Sequence, residues 1–152
     1  MRDNDRLADP VPDHVLVLYE RSRRGAAAIR QAAAAAAATA RLTVVTVAVT
    51  ESAGARCCDT RAGYWNGVVQ ELADADLDRA RSLVEGGTTA EFKILTGKSV
   101  LAALALEAQQ SGADLVVVPS GRGIHPWFRA RRARRLQRRT ADAVVVAAPS
   151  PV

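Results

Sequence analysis

The sequence predicts an α/β protein, a single domain built on a five-stranded parallel sheet with helices on both faces. Three observations carry this. Strand-like segments recur five times, four as apolar runs and one alternating, and a helix-forming segment separates each from the next. Two of the runs, VLVLY at 15–19 and LVVV at 115–118, are apolar without alternation, as in strands buried on both faces. A length of 152 residues suits one hydrophobic core.

Residues 1–13 hold two prolines and scattered charge. They read as a flexible lead-in to a domain at 14–150. Val15–Tyr19 is the first strand and Glu20–Gly25 the loop after it. Ala26–Ala40 is nearly all alanine, the strongest helix former, and Ser22 is placed to cap it. Its short side chains would let it lie close to a sheet. Leu42–Val49 is the second strand, rich in β-branched residues. Thr50–Gly63 reads as a loop. Tyr64–Glu85 is the longest helix. Trp65, Val69, Leu72, Ala73, Ala80 and Leu83 approximate one face of it, which Asp76 interrupts, and Trp65 is expected in the core. Gly86-Gly87 ends it. Ala90–Leu95 alternates and reads as an edge strand. Ser99–Ser111 is a helix stopped at Gly112. Leu115–Val118 is the fourth strand, Trp127–Thr140 the last helix and Ala143–Ala147 the fifth strand. The first and fourth strands are expected inside the sheet.

The net charge of +5 is unevenly spread. Residues 121–140 carry eight arginines and no acid, which leaves −3 on the other 132 residues. A partner should therefore meet that one basic element rather than the whole surface. No apolar run approaches membrane-spanning length. The N-terminal stretch MRDNDRLADPVPD carries four aspartates, the opposite of a secretory signal, so a cytoplasmic protein is expected. Cys57 and Cys58 are adjacent, which fits neither a zinc spacing nor a redox C-x-x-C; they read as reduced thiols in a loop. The two histidines, His14 and His125, join no Cys–His pair, Ser-His-acid set or metal-ligand cluster. Neither catalysis nor a metal is expected.

These segments, in this order, resemble the universal stress protein family over nearly the whole chain. VLVLYERS is similar to that family's first strand and its acid-x-Ser turn. LTVVTV is similar to its second strand. GADLVVVPSGRG, then a helix, then AVVVAAP, is similar to its C-terminal half. The resemblance implies a sheet order of 3-2-1-4-5 and a non-enzymatic signalling or binding role under stress. It also implies a homodimer in which Ala143–Ala147 pairs across subunits. Nucleotide-binding members resemble one another in a Gly-x2-Gly-x9-Gly-Ser/Thr signature, whose glycines let the backbone approach phosphates. No register satisfies it here. With Gly121 as the second glycine, the first falls on Val118 and the last pair on Arg131-Arg132. With Gly123 as the second, they fall on Ser120 and Ala133-Arg134. The family's aspartate after the first strand is matched by Glu20, one methylene longer. Weak or absent ATP binding is expected, with no resident cofactor.

In a sheet of that order the crevice opens between the first and fourth strands. Glu20 and Ser22 reach it from one side, with Arg21, Arg23 and Arg24. Ser120, Gly121, Arg122 and Gly123 reach it from the other, with His125. Glu20, Ser22, Ser120, Gly121, Arg122 and Gly123 are the candidate ligand residues. Either the arginines hold ATP or another phosphorylated ligand in place of the lost glycines, or they only solvate the rim.

In the last helix Trp127, Ala130, Ala133, Leu136 and Thr140 fall at i+3 or i+4 steps and should face the sheet. Arg131, Arg132, Arg134, Arg135, Arg138 and Arg139 cover the rest. Such crowding destabilises a helix unless something neutralises it. Intrachain acids such as Asp74 and Asp78, an acidic protein partner or nucleic acid would do so, the last needing only positive charge. A basic adaptor is thus the alternative function, and a solvated basic face the plain alternative to both.

Overall fold

The computed structural model describes residues 11–36, 39–51, 59–84, 86, 88–121, 131–140 and 143–148. The strands are β1 (His14–Leu18), β2 (Arg41–Val49), β3 (Ala90–Gly97), β4 (Leu115–Val118) and β5 (Val144–Ala147). The helices are α1 (Arg23–Ala35), α2 (Asp59–Leu83), α3 (Val100–Ser111) and α4 (Arg131–Gln137). All strand pairs are parallel, and the sheet order is β3-β2-β1-β4-β5. The expected order and both interior strands are found.

β1 shows why two continuous apolar runs sit in the middle. Val15 and Val17 pack on one face with Ile29 and Ala32 of α1 and Ala80 of α2. Leu16 and Leu18 pack on the other with Leu104 of α3 and Leu136 of α4. Val15, Leu16, Val17 and Leu18 are all buried, so at these positions neither face tolerates a polar residue. Asp114 ties the lower ends of the strands together. Its Oδ2 accepts from the backbone N–H groups of Asp13 and His14 at 2.9 and 3.0 Å, and its carbonyl accepts from Val144 N at 2.9 Å.

The alanine tract forms a helix, shifted from the expected span. It begins at Arg23, because the Ser22 hydroxyl oxygen accepts from Gly25 N at 3.0 Å and caps the first turn. It ends at Ala35, with Ala36 as the extended C-cap. Thirteen helical residues span about 20 Å, already longer than the roughly 17 Å of the five-residue β1 it covers.

α2 departs more. It starts at Asp59, not Tyr64, so part of the expected loop is helical. Gly63 closed the expected loop, yet a Cβ there would meet only open space, so it does not interrupt the helix. The buried face is Ala73, Leu77 and Ala80. Trp65 and Leu72 are not core residues: they are 47% and 55% exposed. The helix rotates so that Asp76 turns inward, and those two large side chains turn out. Ser99 and Gly112 bound α3 as expected, the latter at φ 65°. β3 is an edge strand and runs two residues further than expected, to Gly97. Of the last helix, Ala133, Leu136 and Thr140 are buried as the spacing predicts. The helix closes at Gln137, and Arg138 and Arg139 form a turn. Trp127, Phe128 and Ala130 lie outside the described residues, as do Cys57, Cys58 and His125.

Candidate functional site

The crevice is built by three chain segments at the C-terminal edge of the sheet. The first leaves β1 at Tyr19, whose N–H donates to Val45 O at 2.8 Å and whose side chain is buried. Burial pushes the Tyr19 hydroxyl above its ordinary pKa of 10.0. Glu20 and Arg21 follow, and the chain turns into α1. Gly25 makes that turn compact. A Cβ there would run into the Glu20 carbonyl oxygen and come within 2.9 Å of its carbon.

Two ion pairs then anchor this loop in opposite directions. Arg21 Nε donates to Asp76 Oδ1 of α2 at 2.8 Å. Arg132 Nη1 of α4 donates to Glu20 Oε1 at 2.7 Å. The second contact crosses the β1–β4 crevice. It also changes the expected account of the basic helix. The acid that neutralises an α4 arginine is Glu20, not Asp74 or Asp78; Asp78 is paired with Arg81 on its own helix. Arg132 is half-buried in the crevice rather than on the outer face.

Two cavities flank the Glu20–Arg132 pair. One, of about 280 Å³, lies between the ends of β1 and β2 and helix α2. Its walls are largely apolar, from Leu18, Val47, Val49, Val69, Leu72 and Val100, with Glu20, Arg21 and Asp76 at its polar side. The other, of about 320 Å³, is basic. Arg131, Arg132 and Arg135 line it opposite Gly121 and the first turn of α3 at Ser99–Leu101. Val100 belongs to both. No carboxylate among the described residues lines the basic cavity.

The six arginines of the last helix therefore divide. Three line the cavity. Arg134, Arg138 and Arg139 do not, and they are exposed. No carboxylate among the described residues pairs with Arg131, Arg134, Arg135, Arg138 or Arg139. Of the other candidates, Ser22 spends its oxygen on the α1 cap and Ser120 is buried. Arg122 and Gly123 lie outside the described residues.

The whole arrangement was compared with known proteins. A profile of the universal stress protein family matches residues 12–152. The chain belongs to the universal stress protein family. Solved structures of similar fold include a universal stress protein family member from Burkholderia pseudomallei. It is 21% identical, with a TM-score of 0.61 over 94% of this chain and 100% of that one. A universal stress protein solved in complex with cAMP is 24% identical, with a TM-score of 0.56 over 92% of this chain and 100% of that one. One from Arabidopsis thaliana, solved with AMP bound, is 16% identical, with a TM-score of 0.53 over 90% of each chain. At these identities the likeness establishes the fold. Comparison with curated proteins finds no match.

Against that family background, sequence reasoning missed two things in the crevice. Asp76 looked like a flaw in an apolar face, when it is the anchor for Arg21. The first turn of α3 was not placed at the crevice at all. Among the described residues no helix is long and apolar enough to cross a membrane, and no His, Cys, Asp and Glu cluster has metal-binding geometry.

Proposed function

We propose that this universal stress protein domain is a non-catalytic binding module that no longer holds ATP tightly. The Glu20–Arg132 contact carries this reading. Glu20 stands where the family resemblance puts the acid at the adenosine end, and its carboxylate is engaged by an arginine of the same chain. In the nearest register, Arg131 and Arg132 stand where the signature asks for Gly and Ser/Thr. A nucleotide spanning both cavities would have to break the pair between them. The cAMP and AMP bound to two relatives support a binding role for the fold. His14 lies at the opposite end of the sheet, buried beside Thr43 and Arg41, which removes it from crevice chemistry. Calorimetry with ATP and magnesium tests the reading. A micromolar or tighter dissociation constant would overturn it.

Assembly as a homodimer through β5 fits the same reading. β5 is an edge strand and Val144 is 60% exposed. An apolar edge of this kind invites pairing with a second copy.

A second reading, the basic adaptor, has its own observation: five exposed arginines on α4 and the turn after it, without an intrachain carboxylate among the described residues. An acidic protein or nucleic acid would relieve their repulsion. Mobility shifts with random DNA and RNA at two salt concentrations test it. Binding should weaken steeply with salt and show little sequence preference. No shift at low salt removes the nucleic-acid form of this reading.

A further inference from the structure

We propose that the basic cavity is a site for a compact polyvalent oxyanion without a nucleoside, with inorganic pyrophosphate as its simplest representative, and that Glu20 is a built-in competitor for it. This rests on reading the crevice as a ligand site.

Four features carry the proposal. Arg131, Arg132 and Arg135 converge on one cavity of about 320 Å³, at the small end of ligand-pocket sizes. Guanidinium groups are forks that match phosphate oxygens two at a time. The facing wall is the first turn of the 12-residue α3, whose dipole adds positive potential. Among the described residues the lining side chains are cations, a serine and aliphatic groups, with no carboxylate or amide, so the cavity selects charge. Meanwhile Glu20 reaches Arg132 from the neighbouring cavity, at 2.7 Å. The pair stands between the two cavities, with one partner lining each. An arriving oxyanion and the Glu20 carboxylate then compete for the same guanidinium.

That competition gives a test with an unusual sign. Pyrophosphate is titrated calorimetrically in low-salt buffer into the wild type and into Glu20→Gln, Arg135→Gln and Arg138→Gln. One saturable site is expected. Glu20→Gln should tighten binding by about two- to fivefold, the worth of a partly exposed ion pair. Arg135→Gln should weaken it about tenfold. Arg138, off the cavity, is the control and should change affinity by less than about twofold, since screening limits its reach. ATP should bind no tighter than free tripolyphosphate. Three results would overturn the inference: no saturation up to about 1 mM pyrophosphate, an equal loss in Arg138→Gln and Arg135→Gln, or weaker binding in Glu20→Gln. Tight ATP binding alongside the full pyrophosphate pattern would sink only the reading that ATP is lost. Weak ATP binding with no pyrophosphate response would sink only the anion site.

Discussion

Replacing Gly25 by alanine sets two known effects against each other. Gly25 is the third residue of α1, and exchanging a helical glycine for alanine ordinarily stabilises by about 0.5–1 kcal/mol. Here the new methyl group would meet the Glu20 backbone, running into the carbonyl oxygen and coming within 2.9 Å of its carbon and 3.0 Å of its nitrogen. Those atoms are main chain at the end of β1, so no rotamer change relieves the clash. Overpacking against rigid neighbours costs about 1–3 kcal/mol, sometimes more. The steric term should win, leaving a net loss of about 2 kcal/mol, or roughly 4–8 °C in Tm for a chain of this size. Urea titration monitored by circular dichroism measures it. Gly63→Ala and Gly67→Ala in α2 are matched controls, because a Cβ there meets nothing within 4 Å. They should gain stability by about 0.5–1 kcal/mol. If Gly25→Ala gains as they do, the close approach of α1 to Glu20 is refuted, and with it the account of how the crevice loop is held.

Leu136 is fully buried between α4 and the sheet, so Leu136→Ala should cost about 2–5 kcal/mol in urea melts. His14 accepts from Arg41 Nη2 at 3.1 Å through Nδ1, which leaves Nε2–H to donate to Thr43 Oγ1 at 2.9 Å; the ring is therefore neutral. Burial first and Arg41 second hold its pKa below the ordinary 6.5, while a hydrogen bond to the Ser111 backbone, then Asp114 and Glu91, pull the other way. The unfolded chain takes the proton first, so His14 should lower stability as pH falls below about 6.5 toward the folded value, and His14→Gln should flatten that part of a urea-midpoint profile. At β5, the Gln137 amide donates to Ala143 O at 2.9 Å and accepts from Val145 N at 2.8 Å, imitating a neighbouring strand on the open edge. Gln137→Ala should free that edge and strengthen self-association in sedimentation velocity; a weaker dimer would mean that the glutamine supports the interface.

The sheet was legible because its signals are local and redundant. VLVLY and LVVV have no polar position to offer solvent, so they could only be interior strands, and the turn residues between elements spaced the rest. Helix faces were harder. In α2 the stripe containing Trp65 and Leu72 scores well by periodicity, yet the observed face is rotated toward Ala73, Leu77 and Ala80. Small residues there let the helix approach the sheet, and Asp76 gains Arg21 as a partner. Neither benefit appears in a hydrophobicity count. The crevice was legible as a place, from topology, and its chemistry only in part. Glu20 and Arg132 stand far apart in sequence, and nothing in either neighbourhood announces their contact. The one available signal was a lone acid facing an arginine-rich helix across the strand crossover.

In the proposed anion site, the arginines around this contact take the place of a glycine cradle. A cradle of backbone N–H groups fixes the position and shape of a phosphate chain, because its donors do not move. Guanidinium groups on long side chains fix charge more firmly than position, since each keeps rotamer freedom until it is engaged. With Arg131, Arg132 and Arg135 on one cavity and Glu20 drawn to only one of them, the local balance is positive before any ligand arrives. Selection in the proposed anion site should therefore follow ligand charge more than ligand shape, rising from phosphate to pyrophosphate to tripolyphosphate. It should also weaken with added salt far more than a backbone cradle would. A ligand series that ignored charge and followed the nucleoside would point to recognition in the apolar cavity instead, where Leu18, Val47 and Val100 could cover a base.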